Sequence, residues 1–211
     1  GGAGLLTLVH GMPARSSLRT LILNRCGLSG AITGRHLASL LAHTQLLGLS
    51  DNPLLDSTAI LAIADNLPKD VLLESLFVSG CGVVGDAGGQ AIGRLACQSR
   101  RLVHINLGST VALDAEGVLS MAECFRQGVS LTSFDLTDCR LLGPVCGKAL
   151  AAMLLSLPAL TSLDLSNNLM GADGVIAFAE GLTAACDGVP DMKLPLKSLN
   201  LRSCGLLGPE G

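Results

Sequence analysis

A segment of eleven residues returns along this chain seven times. "LRTLILNRCGL" begins at Leu18, "TQLLGLSDNPL" at Thr44, "LESLFVSGCGV" at Leu73 and "LVHINLGSTVA" at Leu102. "LTSFDLTDCRL" follows from Leu131, "LTSLDLSNNLM" from Leu160 and "LKSLNLRSCGL" from Leu196. The start-to-start spacings are 26, 29, 29, 29, 29 and 36. One unit of this size cannot bury its own apolar side, so the copies must stack and share a core. That requirement excludes most globular architectures.

Within each copy the chemistry changes half-way. The first half alternates, with Leu18, Leu21 and Leu23 placed to face a core from a short strand. The ninth position, where the chain turns, reads Cys26, Asn52, Cys81, Thr110, Cys139, Asn168 and Cys204. A buried turn needs partners for its N–H and C=O groups. Asn supplies both kinds, whereas Cys or Thr acts as a small, weakly polar plug. The second half has helical spacing: Leu37, Leu40 and Leu41 correspond to Ile92, Leu95 and Ala96, to Met121, Cys124 and Phe125, and to Leu150, Met153 and Leu154.

Each copy fits L-x-x-L-x-L-x-x-[N/C]-x-L, so the chain resembles the leucine-rich-repeat superfamily, and its period near 29 resembles the ribonuclease-inhibitor-like subclass. The resemblance implies an α/β fold: a right-handed solenoid with parallel strands on a concave face and helices on a convex face. Residues 18–211 are read as an array of about seven units, the last one truncated, and residues 1–17 as a degenerate or partial repeat. A segment of a longer protein is expected. The stretch from Thr183 to Leu196, which accounts for the 36-residue spacing, reads as a surface loop.

One stretch competes with this reading. In "GCGVVG", Gly80, Gly82 and Gly85 satisfy the dinucleotide-binding pattern G-x-G-x-x-G between a strand and a helix. Such a site would occur once and would need an acidic residue about 20 positions on. Here a glycine near the helix start recurs at Gly30, Gly85, Gly143, Gly171 and Gly208, and the place of the acid reads "HINLGST". The pattern is assigned to the repeat, and no cofactor is expected.

Composition narrows the function classes. A net charge of -3 without a basic run argues against nucleic acid as a partner. The longest apolar stretch, Ala149 to Leu160, falls short of the roughly 20 residues of a spanning helix, so membrane insertion is not expected. Eight cysteines without a C-x-x-C read as buried, reduced thiols, which fits an intracellular, reducing compartment. The four histidines are scattered, and His36 with His43 lacks an accompanying carboxylate or thiol, so no metal site is expected.

Residues between the buried leucines are assigned to the concave face. Basic positions lie at its ends (Arg19 and Arg25; Lys197 and Arg202), and acidic ones, Asp135, Asp138 and Asp164, lie in the middle-to-late part. Phe77 is the one aromatic among them, and His104 shares the surface. The contact candidates are therefore Arg19, Arg25, Phe77, His104, Asp135, Asp138 and Asp164. With no catalytic constellation in sight, the expected function is a non-enzymatic protein-interaction scaffold, a cytoplasmic subunit of a larger assembly that binds one or more protein partners. The resemblance also implies two alternatives: a GTPase-activating protein of the Ran-activator type, and the ligand-sensing array of a nucleotide-binding receptor. The helices carry unusually little charge, which leaves open a convex face partly covered by other subunits.

Overall fold

A strand whose middle residue is a large apolar side chain, followed by an amphipathic helix, is repeated in register through the computed structural model, which describes residues 2–11, 17–110, 113–187 and 194–205. After α1 (Gly2–Gly11), strands and helices alternate: β1 (Thr20–Ile22), α2 (Gly30–Ser39), β2 (Leu46–Gly48), α3 (Ser57–Asp65), β3 (Ser75–Phe77), α4 (Gly85–Gln98) and β4 (His104–Asn106). The alternation continues through α5 (Ala115–Phe125), β5 (Ser133–Asp135), α6 (Gly143–Leu155), β6 (Ser162–Asp164), α7 (Gly171–Asp187) and β7 (Ser198–Asn200). The strands form one parallel sheet in sequence order, β1 to β7. This is the right-handed solenoid expected from the repeat, with the sheet on its concave side and helices α2 to α7 on its convex side.

Register explains the core. Leu21, Leu47, Leu76, Ile105, Phe134, Leu163 and Leu199 occupy the middle of their strands and are Cα partners in succession. From Leu21 to Leu163 each is buried against the helices. Phe125 of α5 meets Phe134 of β5 edge-to-face, with ring centroids 6.1 Å apart. The helical stripes are buried as the spacing predicts, except at their margins: Leu40 and Cys124 are half-buried. Each lies at the edge of its stripe, where the neighbouring helix covers only part of the side chain.

The turn after each strand works as the ninth-position pattern requires. Asn168 donates to the carbonyls of Leu136 (2.7 Å) and Leu165 (2.9 Å) and accepts from the N–H groups of Cys139 and Leu141, both at 3.0 Å. Asn52 does the same for Leu23, Leu49, Cys26 and Leu28. At three of the cysteine positions the thiol donates to the preceding repeat, Cys81 to Leu49, Cys139 to Leu107 and Cys204 to Leu165, at 3.1–3.3 Å, whereas Cys26 donates to Asn24 of its own repeat at 3.4 Å. Thr110 is buried, and its hydroxyl has no partner among the described residues.

The three glycines of "GCGVVG" each have a place in this turn. Gly80 takes the left-handed conformation (φ 64°) that Arg25, Asp51, Ser109, Asp138, Asn167 and Ser203 take at the same position of the other repeats. Gly82 passes so near the Pro53 carbonyl that a Cβ would stand 2.5 Å from its oxygen, and Gly85 (φ 53°) opens α4 as Gly30, Gly143 and Gly171 open their helices. Helices α3 and α5 lack that glycine and are capped by Asp56 and Asp114, which accept from Ala59 and Gly117.

One expectation is corrected. The segment read as a loop from Thr183 begins as helix, because α7 continues to Asp187. Its sequence there, "TAACD", is alanine-rich, and the first breaker is Gly188. Residues 188–193 lie outside the described residues. At the other end α1 packs beside α2, with Leu5 buried at the junction.

Candidate functional site

Alternation along each three-residue strand sends the first and third residues to the concave surface while the middle one enters the core. Parallel register then lines up the third residues as one column across the sheet: Ile22, Gly48, Phe77, Asn106, Asp135, Asp164 and Asn200. The column changes character along its length. Ile22 is 59% exposed and flanks Gly48, where an added Cβ would meet its side chain at 3.4 Å. Phe77 comes next, tilted against the His104 ring at 5.2 Å between centroids. These residues, with half-buried Leu46, make an apolar shelf over β1 to β4.

Beyond the shelf the column becomes acidic. Asp135 and Asp164 are direct partners on β5 and β6. Asparagine amides bracket the pair: Asn106 donates to Asp135 Oδ2 at 2.7 Å, and Asn200 donates to Asp164 Oδ2 at 2.8 Å. The inner oxygens hold the following backbone, Asp135 Oδ1 accepting from the Thr137 N–H and Asp164 Oδ1 from the Ser166 N–H and hydroxyl. Burial alone would push the Asp164 carboxyl up. The hydrogen bonds from Ser166, Asn200 and Thr137 outweigh it and hold the group below its usual range. Neither carboxylate has a cationic partner within ion-pair distance among the described residues. Two charges one strand spacing apart, about 4.8 Å, therefore face the concave space without a counter-ion.

The seven contact candidates do not form one cluster. Phe77, Asp135 and Asp164 share the column, and His104 adjoins it at the first position of β4. Arg19 precedes β1. Arg25 and Asp138 sit past their strands in the left-handed turn, at the rim of the sheet. There Arg25 Nε pairs with Asp51 Oδ2 at 3.0 Å, both side chains being well exposed, so the pair contributes little stability. Asp138 accepts a long hydrogen bond, 3.4 Å, from the Ser109 hydroxyl. Asn106 and Asn200 were not among the candidates. Writing the seven strands in register would have found them, since they occupy the same third position as the two aspartates.

Apart from Cys186, whose side chain lies outside the described residues, the thiols divide into two groups. Cys81, Cys139, Cys146 and Cys204 are buried as expected. Burial pushes the Cys81 thiol up to about 11 and Cys139 up to about 12, which suits a packing role and not a nucleophile. Cys26, Cys97 and Cys124 are only half-buried, contrary to the reading of every cysteine as core. Cys97 and Cys124 line an open groove of about 540 Å³ between α4 and α5 on the convex side. That side also exposes Val145, Ile176 and Leu119. Among the described residues no group of three or more His, Cys, Asp or Glu could hold a metal ion, and no helix is long and apolar enough to cross a membrane.

A family profile described as "Leucine Rich repeat" matches residues 71–93, 156–179 and 194–211. Porcine ribonuclease inhibitor (Sus scrofa) is 32% identical over 187 residues, 86% of this chain and 40% of that protein. This chain is a leucine-rich-repeat protein of the ribonuclease-inhibitor-like subclass. The mouse ribonuclease inhibitor (Mus musculus) is similar to the array at 33% identity over 86% of the chain and 40% of its own length. Mouse NACHT, LRR and PYD domains-containing protein 5 is 30% identical over 90% of the chain and 16% of its own length. The leucine-rich-repeat array thus spans less than half the length of each of these relatives.

Proposed function

We propose that this array is a non-enzymatic protein-interaction scaffold whose concave sheet holds a protein partner, within a larger intracellular protein or assembly. The observation that carries the reading is the third-position column, where a partly exposed apolar shelf gives way, past Asn106, to two carboxylates without a counter-ion among the described residues. Such a surface is incomplete as a solvent face, because Ile22 keeps apolar area in water and Asp135 and Asp164 repel each other. A partner offering apolar and basic groups relieves both. A curved repeat array presents this kind of extended surface. The relatives support the reading, since two of them are named ribonuclease inhibitor, a name that implies a protein target.

The NACHT-containing relatives favour a second form of the same role, the ligand-sensing array of a nucleotide-binding receptor. In that form the partner is a ligand that shifts the receptor between states.

The test uses the array as an affinity matrix. Captured proteins are identified by mass spectrometry, then purified and titrated against wild type, Phe77→Glu, Asp135→Arg and the convex control Glu180→Lys. The expected result is one stoichiometric partner whose Kd rises at least about tenfold in both concave variants and stays unchanged in the control. Full binding in the concave variants with loss in the control would move the interface to the helices and overturn the reading. A partner whose GTP hydrolysis the array accelerates would replace the scaffold with a GTPase activator.

A further inference from the structure

The groove between α4 and α5 is built by close approach of two helices. Gly89 packs against Gly117, and Gly93 lies beneath Cys124: a Cβ on Gly93 would stand 2.6 Å from Cys124 Cβ and 2.9 Å from its sulfur. The Cys124 thiol is therefore seated on the surface of α4. Cys97 follows Gly93 by four residues, so it projects from the same face of α4 one turn further on. Its sulfur donates to the Cys124 carbonyl oxygen at 2.9 Å. Peptide geometry then fixes that sulfur within about 5.6 Å of the Cys124 Cα. Both thiols line the same groove, half-buried, so a small oxidant reaches them.

We infer that Cys97 and Cys124 form a paired-thiol modification site that closes to a disulfide across the α4–α5 seam. Closure is a two-step exchange with a low-molecular-weight disulfide such as oxidised glutathione. One protein thiolate, its proton released to solvent, attacks a glutathione sulfur and expels one glutathione thiolate, leaving a mixed disulfide. The second protein thiolate attacks the protein sulfur of that mixed disulfide and expels the other glutathione. Two protein thiols are oxidised, one S–S bond replaces another, and two electrons reduce glutathione disulfide to two thiols.

Closure requires the Cys124 side chain to turn from its seat on Gly93 toward the Cys97 sulfur, which already reaches the Cys124 carbonyl. An ordinary disulfide spans roughly 4.4–6.8 Å between Cα atoms, and the close approach of α4 and α5 at Gly89 and Gly93 brings the two backbones together along this seam. Burial pushes Cys97 up to about 11, with Cys124 as a second cause, and raises Cys124 as well. Little thiolate is present at neutral pH, so closure answers a sustained oxidising environment and not a brief pulse. The link joins the repeats whose strands carry Phe77 and His104, and it does not depend on the interaction proposed for the concave sheet.

The folded full chain is incubated with oxidised glutathione, alkylated, unfolded and digested with trypsin. The expected product is residues 95–100 linked to residues 102–126, two hydrogens lighter than the separate peptides, and it disappears in Cys97→Ser and in Cys124→Ser. Oxidised wild type should also melt several degrees above the reduced protein, because the link restricts the unfolded chain. The two single variants should show no such difference. Recovery of both cysteines as alkylated or singly glutathionylated peptides would overturn the proposal. So would a link from either one to Cys26 or to a second copy of the chain.

Discussion

Asn168 shows how much one side chain holds in this molecule. It is buried, and its amide satisfies two carbonyls and two N–H groups drawn from adjacent repeats. Asn168→Ala should lower stability by about 3 kcal/mol, because it leaves two buried carbonyls and two N–H groups without their side-chain partner. Cys204→Ala removes one thiol hydrogen bond at the equivalent position and should lower it by about 1 kcal/mol. Urea unfolding of both variants checks the ratio. Asp164 gives a second, pH-dependent expectation. Its folded-state pKa lies below the ordinary value, so the stabilisation is complete above about pH 4 and disappears as pH falls through the lowered value. Wild type should lose stability relative to Asp164→Asn as pH falls below about 4, as followed by circular dichroism during acid titration. The ninth-position residues were legible in the sequence because the period alone places them at one turn. The amides that bracket Asp135 and Asp164 were less so, since a hydrogen bond across strands depends on register, which appears only when the repeats are stacked.

Helix packing is set by glycine at the seams. A Cβ on Gly147 of α6 would collide with the Gly174 carbonyl of α7 and come within 3.0 Å of the Phe178 nitrogen. Alanine ordinarily stabilises a helix interior relative to glycine by roughly 1 kcal/mol. At Gly147 the sign should reverse, with a net loss of about 2 kcal/mol as α6 is forced from α7. Gly4→Ala, which meets nothing within 4 Å in α1, is the control and should stabilise slightly. Thermal unfolding of the pair measures both signs. The helical stripes were readable from spacing, yet the groove with Cys97 and Cys124 was not. Helical period states which side of its own helix a residue occupies, and says nothing of which neighbour stands there. The extension of α7 was missed for a different reason. Gly188, Pro190 and Pro195 marked the insertion as loop, but all three follow the last helical residue and place no restraint on Thr183 to Asp187.

At the scale of the whole array, every strand pairs only with the strands before and after it in sequence. Architecture was therefore the most legible property of all, because one unit and its period determine the rest. The concave face was only half legible. Phe77, Asp135 and Asp164 could be assigned to it by alternation, whereas Arg25 and Asp138 belong to a left-handed turn whose direction no alternation rule describes. The sequential order of the sheet also has a mechanical consequence. Pulled by its ends, the array has no long-range strand pair to resist in shear, so it would peel like a zip from one terminus. Each released repeat would pay out about 100 Å of chain while the remainder kept its fold. The molecule would behave as an extensible tether with evenly spaced steps.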